Sequence, residues 1–446
     1  MEPAFSGPRV TVRRRSEDDD QMQSRAMGIL AATLFLGAMT SAAHAQTWLA
    51  LPDTTLERGI QAGTFKFWPQ VALEGRWDSN VFNVADNDVD AVTSTALLRV
   101  LPALRIDNPE YDVIHLMFDV KGDIRQYFND DPSVEAQPQF GVTADLGIEL
   151  FPRAAASFKV FDSFRDWLET PNFSTTRSFQ RINNKVGGRV SVHPGGTPER
   201  RALDISAQYS YGFDHFLDFE EFDKQTHEIN LLGSWKFYPK TALVIEATLA
   251  FNSWDTPDPQ SGRTDSMPLR TRAGVTGFIT KTIAATIKVG YGQGFYDSGD
   301  DFQSVLASVH FAWMPLETTL LDLGYDRDFV DSYFANYYAQ DRIGLRFEQR
   351  LWDVVTIKLD SAFAFLDFGA ITPAAGVVYL PSNERAEKVL TVDLSIDFDI
   401  LRYLGARVGY ELTDVFSDFE QRRDGQLADV GGYVRHQVFG SLIARY

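Results

Sequence analysis

The sequence predicts an all-β protein: a transmembrane antiparallel up-and-down β-barrel of about 18 strands, with short periplasmic turns and long extracellular loops. Three observations predict it. A basic-flanked apolar run near the start has the form of an export signal. The rest of the chain repeats runs in which apolar and polar residues alternate. The connections between those runs are short and long in turn.

The export signal comes first. Arg25 precedes an apolar run over residues 26–39, and Ala43-His44-Ala45 ends it. A basic flank, an apolar core and a small-x-small end make a Sec-type signal peptide, with cleavage expected between Ala45 and Gln46. An amphipathic soluble helix would need a polar face that this run lacks. Residues 1–21 are unusually charged for a segment ahead of a signal, and Met22 is an alternative start. Residues 1–45 carry five acids and five Lys or Arg, so the net charge of −19 belongs entirely to the remainder. No later stretch approaches the roughly 18 consecutive apolar residues of a transmembrane helix. Residues 46–64 are expected to form a short periplasmic segment, in which Asp53-Thr54-Thr55-Leu56-Glu57 suits a helix start. Residues 65–446 are expected to form the barrel as one domain.

The alternation is cleanest at 390–400. Leu390, Val392, Leu394, Ile396, Phe398 and Ile400 share one face, and Thr391, Asp393, Ser395, Asp397 and Asp399 share the other. Period two is the geometry of a strand with one apolar and one polar face. At 114–124, Ile114, Leu116, Phe118, Val120 and Ile124 oppose His115, Asp119, Lys121 and Asp123. At 203–213, Leu203, Ile205, Tyr209, Tyr211 and Phe213 oppose Asp204, Ser206, Gln208 and Ser210. At 341–348, Ile343, Leu345 and Phe347 oppose Arg342, Arg346 and Glu348. A soluble sandwich also alternates, so the connections decide.

The short connections fall at 107–110, 152–154, 193–199, 238–241, 281–282, 314–317, 351–353 and 402–403. The long ones fall at 79–91, 129–138, 170–177, 217–224, 254–265, 297–301, 328–336, 369–384 and 417–429. Nine loops and eight turns give about 18 strands and leave both ends of the barrel on the periplasmic side. Aromatics gather at the turns: Phe151, Phe237, Tyr238, Trp313, Trp352, Tyr403 and Tyr446, as an interfacial girdle requires. The last strand carries Val438, Gly440, Leu442 and Ala444 on one face before the terminal Tyr446, the kind of ending by which the barrel-assembly machinery recognises its clients. In lipid every backbone amide needs a partner, so a sheet that crosses must close.

Composition narrows the chemistry. There is no cysteine, which removes disulfides, thiolate nucleophiles and Cys-based zinc sites. A charge of −19 repels phosphate backbones, so no nucleic-acid partner is expected. Gly290-Tyr291-Gly292-Gln293-Gly294 lies inside an alternating strand with no helix after it, so its glycines are expected to relieve curvature or lumen crowding rather than bind a dinucleotide. Pro194-Gly195-Gly196-Thr197-Pro198 reads as a turn. Asp86-Asn87-Asp88-Val89-Asp90 begins like a calcium loop, but Ala91 and Leu97 occupy the positions that need Gly and Glu. It reads as a solvated acidic loop, as does Asp297-Ser298-Gly299-Asp300-Asp301. His115, His193, His215, His227, His310 and His436 show no metal-ligand spacing, and nothing suggests a Ser–His–acid hydrolase on the outer wall. No cofactor, metal site or catalytic residue is expected.

The candidate functional residues are those of the polar face. Asp119, Lys121, Asp123, Arg125, Arg342, Arg346, Glu348, Asp393, Asp397 and Arg407 are expected to line the lumen, with Asp204, Glu228, Lys236 and Asp399. Any one of them also suits a cross-strand pair. A barrel of this size encloses an aqueous channel unless a loop folds in. The loop at 369–384, with Ile371, Val377, Val378, Tyr379 and Leu380, is the most apolar and the candidate constriction.

The first strand reads Val71-Ala72-Leu73-Glu74-Gly75-Arg76-Trp77-Asp78-Ser79-Asn80-Val81-Phe82. An aromatic followed by Asp-Ser-Asn and an apolar residue resembles the opening of the putative β-barrel porin 2 family, and Tyr238-Pro239-Lys240-Thr241 resembles its turns. The likeness spans the architecture of residues 65–446; the loop after the first strand is longer and more acidic than a compact form. The resemblance implies an outer-membrane barrel linked to exopolysaccharide or capsule genes, with no catalytic residues. It implies passage of a secreted polysaccharide with a separate periplasmic export partner. A general porin for small solutes, favouring cations because of the −19 charge, is the alternative. A barrel-embedded enzyme or surface structural protein is a third.

Overall fold

The structure is a computed structural model that describes residues 59–84, 92–108, 113–169, 179–194, 202–217, 220–257, 264–332, 335–369, 377–380, 385–417, 419–423, 426–430 and 432–446. The expected signal segment and the expected helix at 53–57 lie outside these residues.

The strands run β1 (Ile60–Ala62), β2 (Phe65–Asp78), β3 (Thr95–Asp107) and β4 (Ile114–Phe128). A one-turn helix, α1 (Pro132–Glu135), precedes β5 (Phe140–Leu150) and β6 (Ala156–Glu169). Next come β7 (Phe179–Val192), β8 (Leu203–Phe216), β9 (Lys224–Tyr238), β10 (Thr241–Trp254), β11 (Ser266–Phe278) and β12 (Ile283–Tyr296). They are followed by β13 (Phe302–Leu316), β14 (Thr319–Asp331), β15 (Tyr337–Leu351), β16 (Val355–Phe368) and β17 (Val377–Leu380). The chain ends with β18 (Ala386–Leu401), β19 (Leu404–Phe416), β20 (Glu420–Arg423), β21 (Gln426–Val430) and β22 (Tyr433–Arg445).

Eighteen long strands, all but β1, β17, β20 and β21, form one antiparallel up-and-down sheet. β22 pairs with both β19 and β2, which closes it into a barrel. Among the described residues no helix is long and apolar enough to cross a membrane.

The two faces follow from period two. In β18, Leu394 and Ile400 are exposed on the outside while Ser395 is buried inside. In β8, Ile205 and Tyr209 are exposed while Ser206 and Ser210 are buried. A hydrophobic set that is exposed on every strand is stable only against lipid. The turn-end girdle is outside as well: Phe151, Tyr238, Trp313, Tyr403 and Tyr446 are exposed, and Trp352 is 85% exposed. Trp352 and Asp353 both have positive φ (51° and 54°), the backbone of a two-residue hairpin turn whose twist matches that of its strands.

The seam is one of the less extensively paired junctions. β2 and β22 share nine register pairs, Gln70 to Asp78 against Arg445 to Gln437. Below them the edge of β2 is covered by β1, through Ile60↔Phe67, Gln61↔Lys66 and Ala62↔Phe65, and Gly63 (φ +64°) turns between the two strands. Barrel-associated structure thus begins before residue 65, inside the segment expected to precede the first strand. The loops at 369–384 and 417–429 also hold strands that alternation does not predict. β17 pairs with β20, and β20 with β21, as a separate three-stranded sheet.

Candidate functional site

Pairing partners in an antiparallel sheet present their side chains to the same face, so the register assembles the lumen wall. Beside the seam it forms a continuous charge network. Arg76 donates to Glu74 (2.9 Å) and, through both terminal nitrogens, to Glu411 (2.6 and 3.1 Å). Its guanidinium lies 4.5 Å from the centre of the Phe439 ring. Arg99 bridges Glu74 (2.8 Å) and Asp123 (2.7 Å), and Arg125 donates to Asp123 (2.8 Å). On the far side of the seam Arg407 and Lys358 both hold Asp397, and Arg445 holds Asp399.

The register sets the candidates named from sequence on the strand faces opposite the exposed apolar side chains. Lys121 reaches Asp119 at 3.3 Å, and Arg346 reaches Asp360 at 3.0 Å. Glu348 stands opposite Lys358, and Arg342 opposite Asp326. Asp393 stands between Asp360 and Glu411 in register. Glu228 accepts from Lys185 (2.7 Å), while Asp204 and Lys236 sit near the turns. The structure does not gather these residues at one point; it distributes them around the wall, many of them in ion pairs, with Asp393 between two other acids. Reasoning from sequence missed Glu74, Arg76, Arg99 and Glu411. The first two are legible, because Glu74, Arg76 and Asp78 alternate with Leu73, Gly75 and Trp77. Arg99 is less so, because Leu97 and Leu101 flank it on the face it shares with Thr95, Arg105 and Asp107 and blur the alternation.

Two segments at the loop end pack inward. The first begins at the Asp-Ser-Asn motif. Asp78 is held by Arg435 and accepts from Gln437 (2.7 Å). The Ser79 amide donates to the His436 carbonyl (2.9 Å), and its hydroxyl accepts from the His436 amide (2.8 Å). Asn80 donates to the carbonyls of Val84 (2.9 Å) and Val434 (3.1 Å) and accepts from the Val84 amide (2.8 Å). Asn83 takes the left-handed turn position (φ 52°), which Asn tolerates. These bonds fold the chain back, so that Val81, Phe82 and Val84 cluster with Leu97, Tyr127 and Val134 of α1. Leu97 and Tyr127 belong to the inner face, since their neighbours Leu98 and Phe128 are exposed outside. Full burial contributes about 1.5–3 kcal/mol for each large apolar side chain, enough to hold the loop down.

The second segment is the tip of the β14–β15 hairpin. β14 stops pairing with β13 at Arg327 but stays with β15 to Asp331. Freed from the wall, the tip crosses the inner face of β13, β12 and β11. Phe329, fully buried, stacks on Phe302 (4.2 Å between centroids) and under Arg270 (4.2 Å). Asp328 is held by Arg270 (3.2 Å) and Arg272 (2.7 Å). Asp331 accepts from Ser266 (2.6 Å), Tyr296 (3.1 Å) and Asn252 of β10. The expected role of the strand glycines is visible here: a Cβ on Gly292 would lie 2.7 Å from Phe329, and one on Gly294 2.7 Å from Tyr296.

From β3 to β12 is nine strands in an 18-strand ring, so the two segments approach from opposite walls. Further buried side chains flank them. Phe222 packs on Phe216 (5.9 Å), and Arg385 lies over Phe368 and Phe419 (5.1 Å each). The candidate constriction at 369–384 contributes β17 to the small sheet; residues 370–376 and 381–384 lie outside the described residues. Alternation gave that loop no advantage over 79–84, whose burial depends on side-chain bonds to the last strand.

Among the described residues no group of three or more His, Asp or Glu is placed to hold a metal. His115, His310 and His215 pair with carboxylates, and His227 and His436 with tyrosine hydroxyls.

Residues 56–437 match the family described as putative beta-barrel porin 2. The chain belongs to that family. It is a porin-like outer-membrane β-barrel. No curated protein matches it. Solved structures similar to it include OccK2 (OpdF) of Pseudomonas aeruginosa, at 12% identity and TM-score 0.46 over 87% of this chain and 99% of that one. Acinetobacter baumannii OccAB4 is similar at 12% identity and TM-score 0.46, over 85% and 98%. The siderophore receptor PirA of Pseudomonas aeruginosa is similar at 8% identity and TM-score 0.42, over 87% and 81%.

Proposed function

We propose that this porin-family barrel is a passive channel for small hydrophilic solutes, sieved by size at its outer mouth. The observation that carries this reading is the pair of inward segments on opposite walls, each fastened by buried bonds. A mouth narrowed by fastened segments passes solutes that fit and needs no energy source. The ion-paired wall keeps the path wet, because fixed charges hold water. Residues 1–45 act as the export signal, and the barrel-assembly machinery inserts the mature chain into outer-membrane lipid.

Single-channel recording of the refolded chain in planar bilayers tests this. Stable stepwise currents are expected, with a larger step when Arg270→Ala and Arg272→Ala together release Asp328. A wild-type chain that conducts nothing while adopting the folded barrel refutes it.

Export of a polysaccharide with a periplasmic partner is the second reading, and one observation favours it. Ion pairs toward the periplasmic end, Arg346–Asp360 and Lys358–Asp397, are more exposed than Arg385–Glu387 and Asp78–Arg435 at the outer end. A lumen that widens toward the periplasm suits loading from that side. A deletion strain that loses a secreted polysaccharide, restored by the wild-type gene, would favour this reading over the first.

A further inference from the structure

The net charge of −19 and the charge of the lumen are different quantities in this molecule. Acids crowd the extracellular loops: Asp130, Asp131, Glu220, Glu221, Asp297, Asp300 and Asp301. On the inner wall, acids and bases are instead interspersed and joined by ion pairs, with one short row of acids at Asp360, Asp393 and Glu411. Arg165 donates twice to Asp145 (2.8 Å each), Lys185 to Glu228 (2.7 Å), and Lys288 to both oxygens of Glu246 (3.0 and 3.1 Å). These join the pairs already described, which continue the pattern around the ring.

Two opposite charges at 3 Å act at a distance as a dipole. Its field falls off faster than that of a single charge, and at physiological salt the Debye length is only about 8 Å. An ion travelling along the barrel axis therefore meets no sustained potential of one sign. Electrostatic focusing needs a cleft lined by one sign of charge, and this wall lacks that. The lysine ammoniums and carboxylates of these pairs keep bonding capacity beyond the bonds they make, since an ammonium carries three donors and a carboxylate about four acceptor sites. Groups that both donate and accept match a hydroxyl, which also does both.

We infer that the channel selects uncharged polyhydroxylated solutes, sugars or polyols, and does not discriminate by the sign of charge. This deepens the channel reading and rests on it. It also replaces the cation preference expected from the net charge, because that charge lies in the loops and not along the path.

The test uses the full mature chain refolded into planar bilayers and liposomes. Under a potassium chloride gradient the cation-to-anion permeability ratio is expected within about twofold of unity. In liposome swelling, glucose is expected to enter faster than gluconate or lysine of similar size. Lys185→Gln leaves Glu228 without its cation, with only the neutral Asn230 donating to it, and moves the ratio toward cations; Glu228→Gln moves it toward anions. Arg165→Gln and Asp145→Asn repeat the mirrored shifts on a separate pair. A wild-type ratio beyond about tenfold in either direction overturns the inference while leaving the channel reading standing. So does a near-unity ratio that none of the four variants moves. Absence of any current overturns the channel reading and this inference with it.

Discussion

Replacing Asp78 by Asn should destabilise the barrel more than any comparable charge change on its open lumen wall. The Asp78 side chain is 2% exposed and that of Arg435 17% exposed. Asp78 also accepts from Gln437 (2.7 Å) and from the Asn80 amide (3.1 Å). Asparagine keeps the shape but takes from the buried guanidinium its paired carboxylate, leaving Asn83 as a neutral acceptor, a loss of up to about 3–5 kcal/mol. The matched control is Asp145→Asn, whose carboxylate is 39% exposed beside an arginine that is 26% exposed. Solvent screening limits that change to about 0–1 kcal/mol. The assay is a urea titration of the barrel in lipid vesicles, followed by tryptophan fluorescence and by the gel shift of folded against heated protein. Removing both charges at once, as Asp78→Leu with Arg435→Met, should recover much of the loss, since no lone charge remains. The reasoning is refuted if Asp78→Asn and Asp145→Asn cost the same, or if the double replacement is worse than Asp78→Asn alone.

Three further outcomes follow from other contacts. Phe329→Ala should cost about 3–5 kcal/mol and enlarge the conductance step, because its ring fills the space between Phe302, Leu306 and Arg270; unchanged stability and step would contradict the inward packing of the hairpin. Leu394→Arg places a charge on the lipid face and should cost about 2–4 kcal/mol at the bilayer midplane, whereas Ser395→Arg on the inner face should be milder, a contrast that the same urea titration reads. At α1, hydrogen bonds from the Ser133 hydroxyl and amide hold the Asp131 carboxyl below the usual carboxylate range. A depressed folded value means that the cap's contribution is complete above about pH 4 and lost as pH falls through the folded value. Hydrogen exchange at residues 133–136 should therefore speed up in Asp131→Ala at neutral pH and match wild type in strong acid.

The barrel was legible because two signals agree along the whole chain. Alternation marks the strands and breakers mark their ends, so the expected loops at 254–265 and 297–301 fit between β10 and β11 and between β12 and β13. The inner-face residues were legible for the same reason: Asp393 and Asp397 alternate with Leu394 and Ile396. Their partners were not, because alternation gives a face without giving a register, and register decides that Asp397 meets Arg407 while Asp393 meets Glu411. The shape of the mouth was still less legible. Val81 and Phe82 look like ordinary apolar loop residues until Asn80 ties the chain to Val434, and Phe329 falls in the expected loop at 328–336 until β14 is seen to run on to Asp331 and leave β13. In both places contacts between residues far apart in sequence override the local pattern.

The Asp-Ser-Asn motif carries a consequence for anyone sorting such chains by sequence. Its carboxylate, hydroxyl and amide are committed to joining the first strand to the last and to folding Val81, Phe82 and Val84 against the inner wall. It is a fastening at the place where the ring is joined, and it touches whatever passes only through the outline it gives the entrance. Two chains that share it share a doorway. What each admits is written elsewhere, in the pairs along the corridor behind.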